Sequence, residues 1–431
     1  MASGDTIMAL SSGALPSGIA VIRLSGPGVR EALRLLAGAP PPPRQLVLRP
    51  IGAERLLDRG LVAFFPAPHS FTGEDCAELQ VHGSPAGVKA ILGQLGSAGL
   101  RLAAPGEFTR RAFENGKLDL LAVEGLGDLL SAETEKQRQQ ALARYDGRLS
   151  AAVDTWRESL LDLRAEIEAR LDFSDEGDVT EDLPAGFLAS LNDLRASLRT
   201  ALASVTSGRI VRTGLRVALA GPPNAGKSSL VNALSHSDIA IVSAEAGTTR
   251  DVREVPLDIG GQLFVLLDLA GLRETESQAE AEGVRRANKA IADADIVLWL
   301  QAPDIAPLEP PPGPARLLRI DTKADLGPVP VPGDLSLSVA RGDGLDGLID
   351  MLRRLGEDLG GGEPALVSHE RDRLALVDAL TALGEAECSL DNWELAAESL
   401  RRASTVLERM IGRLDPERVL DRLFASFCIG K

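Results

Sequence analysis

At 431 residues the chain is long enough for about three domains of ordinary size. Its 46 Lys+Arg against 62 Asp+Glu leave a net charge of −16 and a pI near 4.9, so a protein that clamps bare nucleic acid by its own field is disfavoured, and an RNA substrate calls for a local basic patch or a basic partner. With 44% hydrophobic and 25% charged residues and only three scattered cysteines, the composition excludes disorder, coiled-coil rods, disulfide frameworks and membrane spans, and the expected location is the cytoplasm.

Residues 1–118 alternate short β-like runs, at 19–24 and 76–81, with a helix expected over 85–95, which reads as a small α+β domain. Residues 119–210 turn rich in Ala, Leu, Glu and Arg. Apolar residues there fall at Leu149, Val153, Trp156, Leu160, Leu163, Ile167 and Leu171, the steps of three and four of a helix. Over 211–362 the pattern becomes β-run, glycine-rich turn, helix, then β-runs at 263–267, 296–300 and 317–320, which predicts a mostly parallel sheet. Pro-rich loops at 303–314 and 327–333 interrupt it. Residues 363–431 return to helical spacing through Leu374, Val377, Leu380 and Leu383. The expected fold is therefore multidomain: an N-terminal α+β domain, then one all-α domain with an α/β domain inserted into it.

The apolar run 215–220 leads straight into Gly221-Pro222-Pro223-Asn224-Ala225-Gly226-Lys227-Ser228 and then, from Ser229, a helix. Strand, G-x-x-x-x-G-K-[ST], helix is the context a phosphate loop requires. Backbone N–H groups close around phosphate oxygens, Lys227 neutralises the β and γ phosphates, and the Ser228 hydroxyl can hold Mg²⁺. Asp268-Leu269-Ala270-Gly271 ends the next apolar run, placing a carboxylate for the Mg²⁺ shell and a glycine N–H near the γ-phosphate. Between them, Gly247-Thr248-Thr249-Arg250-Asp251 offers a switch-loop threonine, Thr249, to the same ion. Thr322-Lys323-Ala324-Asp325 follows another β-run. An Asp there accepts two N–H bonds from guanine, which adenine cannot supply, so the base is GTP's. Ser338-Val339-Ala340 places backbone amides near guanine O6.

Further stretches narrow the reading: Ser70-Phe71-Thr72-Gly73-Glu74-Asp75, Glu78-Leu79-Gln80-Val81-His82-Gly83, Pro105-Gly106-Glu107-Phe108-Thr109-Arg110-Arg111-Ala112-Phe113, Asn115-Gly116-Lys117-Leu118-Asp119-Leu120 and the terminal Cys428-Ile429-Gly430-Lys431. Over essentially the whole chain, the sequence resembles the MnmE (TrmE) family of tRNA modification GTPases. That resemblance implies an N-terminal folate-binding domain that also dimerises, and a Ras-like P-loop G domain inserted in the helical one. It implies a homodimer that works on tRNA with the flavoprotein MnmG (GidA), whose FAD the partner supplies. Together they install an aminomethyl or carboxymethylaminomethyl group on C5 of the wobble uridine, using 5-formyl- or 5,10-methylene-tetrahydrofolate. Arg23, Glu78, Lys117 and Lys431 correspond to the family's folate contacts. K⁺ falls to Asn224, Ser243, Glu245 and Thr248, and the nucleotide-binding loop extends through Ala244 and Ala246. Glu280 corresponds to the family's water-orienting glutamate, since Leu272 stands where Ras-like enzymes carry glutamine. Cys428, which alone reads as a small apolar core residue, becomes a nucleophile or proton donor.

The chain departs from the family pattern at several places. Thr322 replaces the Asn that opens the guanine motif, exchanging a two-sided amide for one hydroxyl, which predicts weaker nucleotide binding. Leu269 stands for Thr, Ser84 for the second glycine after His82, and Glu245 for an apolar residue, with no needed side chain lost. Residues 401–431 carry seven Lys+Arg against four Asp+Glu, a local +3 that reads equally as a tRNA contact or as a solvated helix face.

Overall fold

A computed structural model describes residues 4–172, 183–241, 253–268, 289–310, 316–361 and 365–414, with 424, 427 and 430. The chain forms two compact units, one of residues 1–127 with 405–431 and the other of 128–404.

The first unit is built on a six-stranded sheet of β1 (Ile7–Leu10), β2 (Ser17–Ser25), β3 (Val47–Ile51), β4 (Asp58–Phe65), β5 (Cys76–Gly83) and β6 (Arg101–Leu102), in the order β3-β4-β5-β2-β1-β6. Its pairs are antiparallel except β1–β6. Alternation along the strands divides the sheet's faces. Ile22, Leu24, Leu79 and Val81 point to a core shared with helices α1 (Val29–Ala37) and α2 (Pro85–Ser97). The latter starts where expected, with Ser84 capping the Gly87 N–H and Pro85 at its first turn, and runs two residues past the predicted end. Arg23 and Glu78, one residue out of phase with that core, take the opposite face. There Ile7, Ala9, Ala103 and Phe108 of α3 (Glu107–Glu114) make a smaller cluster. Residues from the C-terminal end return to this unit, where Phe424 and Phe427 pack on Leu120 and Val123 of α4 (Leu120–Ser131).

The second unit contains α5 (Glu135–Tyr145), α6 (Arg148–Asp172), α7 (Phe187–Ala203) and α8 (Val205–Thr213) ahead of its sheet. Of the predicted α6 stripe, Leu149, Val153, Trp156, Leu160, Leu163 and Ile167 are buried and Leu171, at the helix end, is half-buried. The sheet, in the order β12-β11-β10-β7-β9-β8, comprises β7 (Leu215–Ala220), β8 (Arg253–Ile259), β9 (Gln262–Asp268), β10 (Ile296–Gln301), β11 (Arg316–Asp321) and β12 (Leu335–Ser336). Only β8–β9 is antiparallel, and α9 (Lys227–Ser235) and α10 (Leu345–Gly360) flank the sheet. Helices α11 (Glu370–Cys388) and α12 (Trp393–Met410) follow.

Helix α11 forms where the spacing of Leu374, Val377, Leu380 and Leu383 predicts a helix, but its buried side is not that whole stripe. The predicted stripe began at Leu374, which is 48% exposed, while the buried side is Asp372, Leu376, Ala379, Ala382, Leu383 and Ala386. That side carries a charge: Asp372 pairs at 2.9 Å with Arg144 of α5, both side chains fully buried. Helix α5 also reaches the chain on both sides of the second sheet. Gln137 Nε2 donates to Arg212 O at 2.9 Å, Gln140 Nε2 to Gly208 O at 3.1 Å and Ala365 O at 2.6 Å, and Arg144 to Leu366 O at 2.5 Å. Lys136 N–H meets the carbonyl of Gly261 in the β8–β9 turn at 3.0 Å. Among the described residues, no helix is long and apolar enough to cross a membrane.

Candidate functional site

Two sites emerge from these two sheets. In the second unit, β7 ends at Ala220 and the chain turns through 221–226 into α9. Gly221 has φ 134° and lies so close to β10 that a Cβ there would sit 2.3 Å from Leu300 O, so only glycine makes this turn. Asn224 and Gly226 are both left-handed, with φ 63° and 86°, and the second leads directly into the helix. The loop therefore presents the N–H groups of a helix N-terminus, the arrangement that binds anions. Lys227 Nζ donates to Gly221 O and Pro222 O, both at 2.8 Å, holding the ammonium over the loop, and Ser228 and Ser229 are exposed in the first turn.

Thr322 packs beneath that loop. Its Oγ1 lies 2.8 Å from Ala225 O and 2.9 Å from Gln301 O, and its N–H donates to Gln301 O at 2.8 Å. The hydroxyl thus joins the segment 322–325 to the loop 221–226 across 97 residues of chain. Lys323 follows with φ 52° and pairs with Asp304 at 2.7 Å. Asp325 accepts from Ser338 Oγ at 2.6 Å. That bond, with the backbone and the nearby Arg341 and Lys323 cations, holds its carboxyl below the usual range, as an anion ready to accept N–H donors. Ala324 N–H donates to Leu337 O, so the segment Thr322 to Asp325 lies against Ser338 to Ala340, with Val339 in a turn. Asp268 closes β9 beside β7, in register with Leu219. Ser243 to Thr249, Leu269 to Gly271, Glu280, Cys428 and Lys431 lie outside the described residues.

In the first unit, antiparallel register sets Arg23 of β2 opposite Glu78 of β5. Arg23 Nη2 and Nε reach the same carboxylate oxygen at 3.0 and 3.2 Å, and the guanidinium stands 5.7 Å from the Phe71 ring and 5.8 Å from that of Phe108. The pair lines a cavity of about 440 Å³ with Arg44, Phe65, His69, Ser70, Phe71, Thr72 and Cys76. Lys117 does not line it. That side chain lies beside Gly73, its Cε 3.2 Å from where a Gly73 side chain would begin.

The loop 70–76 that walls the cavity is held by a buried polar chain. Ser25 Oγ meets Thr72 Oγ1 and Glu74 Oε2, each at 2.7 Å, Thr72 Oγ1 meets Cys76 Sγ at 3.1 Å, and Asn115 Nδ2 donates to Thr72 O at 2.7 Å. Arg111 bridges Glu74, Asp5 and Glu107 at 3.1, 2.7 and 3.0 Å. Burial works to raise the Glu107 carboxyl, but bonds from Arg101, the Ala104 N–H and Arg111 outweigh it and hold the group below its ordinary value. The 70–75 and 105–113 stretches are thus two halves of one brace. Arg44, Phe65 and His69 escaped the sequence reading, although a cation ending the run Pro40 to Pro43 was a visible signal.

A phosphate loop at the switch from strand to helix, beside an Asp that can read guanine, on a largely parallel sheet, defines a P-loop GTPase domain. Comparison with known proteins extends this to the whole chain. The family description "MnmE helical domain" matches residues 120–428, and "GTP-binding protein TrmE N-terminus" matches 6–117. The chain is 52% identical over 436 residues to a tRNA modification GTPase MnmE of Azorhizobium caulinodans, covering 100% of this chain and 99% of that one. It is 48% identical over 443 residues to the MnmE of Rhizobium johnstonii, covering 99% of each. Among solved structures it is similar to Aquifex aeolicus Era Y63A bound to GDP·AlF4⁻, with TM-score 0.25 and 23% identity, over 40% of this chain and 66% of that one. The chain belongs to the MnmE family of tRNA modification GTPases, and it is a GTP hydrolase.

Proposed function

We propose that the chain is a homodimeric, K⁺-activated GTPase that modifies C5 of the tRNA wobble uridine together with the flavoprotein MnmG, taking a one-carbon unit from a tetrahydrofolate. The observation that carries the folate part is the cavity of the first unit, where Glu78, set in place by Arg23, offers a carboxylate acceptor between aromatic walls. A pterin needs that acceptor for its N–H groups, and its ring needs apolar faces. Lys117, beside Gly73 in the loop that walls the cavity rather than in its lining, and Lys431 are read as further folate contacts, and Cys428 as the nucleophile or proton donor of the modification chemistry.

In the G domain, read as residues 211–362 inserted between helical segments 119–210 and 363–431, Lys227 holds the β and γ phosphates. Ser228, Thr249 and Asp268 hold Mg²⁺. The exposed, left-handed Asn224 suits a cation ligand at the phosphate loop, with Ser243, Glu245 and Thr248 completing a K⁺ site. A monovalent cation there supplies the charge that an arginine finger supplies elsewhere. Glu280 orients water. A homodimer is supported by the uncovered end of the first sheet, where Leu48, 65% exposed, stands opposite Leu61, 37% exposed, across β3 and β4. A partner that shares in tRNA binding fits a chain whose own charge is −16.

The test is GTP hydrolysis in KCl against NaCl at equal ionic strength, with Lys227→Ala as the blank, followed by assay of modified uridine with the flavin partner. A much faster rate in KCl is expected. Equal rates in the two salts sink the potassium mechanism.

A further inference from the structure

The cavity of the first unit is graded from floor to rim. Thr72 and Cys76 at its floor are buried, Arg23 and Glu78 on its wall are about three-quarters covered, and Arg44 and His69 at its rim are exposed. Its two guanidinium groups are in opposite electrostatic states. Arg23 is neutralised by Glu78 at 3.0 Å. Arg44 donates to the His69 carbonyl, a neutral acceptor, and among the described residues no carboxylate lies within ion-pair distance of it.

The backbone at Arg44 adds an independent observation. Three non-glycine residues among those described have positive φ: Asn224 in the phosphate loop, Lys323 in the base-reading loop, and Arg44, at 62°. Such residues are disfavoured by contact of Cβ with the backbone and concentrate where a site requires them. Arg44 N–H donates to Phe64 O at 2.9 Å and Gln45 N–H to Pro42 O at 3.2 Å, so the turn is pinned to the end of β4 and the side chain is held at the rim.

We infer that Arg44 receives the carboxylate tail of the folate and so fixes its polarity in the cavity, with the heterocycle inside against the Arg23–Glu78 pair and the tail passing out over the rim. This rests on the folate reading above. A guanidinium with donors to spare takes a carboxylate through two parallel bonds, whereas Arg23, already paired, has no net charge to offer one.

The test is calorimetric titration of the full chain with 5-formyltetrahydrofolate and with 5-formyl-6-methyltetrahydropterin, the same ring without its tail. Arg44→Ala is expected to weaken the folate by about 10- to 100-fold and to leave the ring compound within about twofold. Arg44→Lys should recover part of the loss. Glu78→Gln should weaken both ligands. Arg44→Gly removes the charge and the left-handed strain together, and keeps the experiment decisive if the alanine variant melts early. The assignment of Arg44 is overturned if its variants leave folate affinity unchanged, or if they weaken the ring compound equally. Wild-type protein that binds neither ligand overturns the folate reading itself, and the assignment with it.

Discussion

Replacing Thr322 by Val removes one hydroxyl from beneath the phosphate loop at nearly constant volume. The residue is 2% exposed, so water does not take the hydroxyl's place. Of its two acceptors, Gln301 O keeps the Thr322 N–H at 2.8 Å, and the loss falls on Ala225 O. One hydroxyl proton serves one acceptor at a time. The change therefore removes a single buried hydrogen bond, worth ~1–2 kcal/mol once the stranded carbonyl is included, or about 5- to 30-fold in nucleotide affinity. Equilibrium titration with fluorescent GDP measures it, and steady-state GTP hydrolysis should show KM rising more than kcat falls. Thr322→Ser should stay near wild type, and Thr322→Asn, which restores a two-sided amide, should bind at least as tightly. Binding of GDP by Thr322→Val within about twofold of wild type would refute the claim that the hydroxyl braces the loop.

Two further outcomes concern the scaffold. Asp372→Ala takes from the fully buried Arg144 guanidinium the carboxylate that pairs with it among the described residues and should cost ~3–5 kcal/mol in chemical denaturation, whereas Arg144→Met with Asp372→Leu should lose far less; equal losses would contradict the account. Glu107, held below its ordinary 4.5 when folded, adds stability above its unfolded pKa, and that contribution is lost as pH falls through the lower folded value. Urea denaturation from about pH 6 to about pH 3 should therefore show stability declining below about pH 4.5, with a flatter acid limb in Glu107→Gln. An unchanged limb in that variant is the opposing result.

The phosphate loop was legible in the sequence because its backbone admits few residue types. Gly221 has no room for a Cβ against Leu300, and Gly226 is left-handed at the mouth of a helix. The α6 stripe was legible for a similar reason, since a long helix with one apolar side has one way to bury it. Helix α11 was legible as a helix but its buried face was not, because Asp372 lies on that face, and hydrophobic periodicity cannot register a partner 228 residues away. The first-unit cavity shows the same limit. Nothing in the spacing of Arg23 and Glu78 says that they will face one another, because strand register depends on pairing across 55 residues. The family resemblance singles out both residues, whereas Arg44, marked in the sequence only by the proline run before it, is placed at the cavity by the fold. The brace from Thr322 to Ala225 was likewise hidden, because spacing along the chain does not show how close Thr322 lies to the loop.

The grip of α5 on both chain segments beside the second sheet bears on how the GTPase can be dissected. A fragment cut at 211 and 362 would divide α8, separate Gln262 Nε2 from Ile210 O, 3.1 Å away, and discard the glutamines that tether Gly208, Arg212 and Ala365. It would also free the β8–β9 turn from Lys136. Such a fragment has lost its suspension. Hydrolysis rates measured on it are those of a G domain without these contacts, and their difference from those of the full chain measures what the contacts contribute.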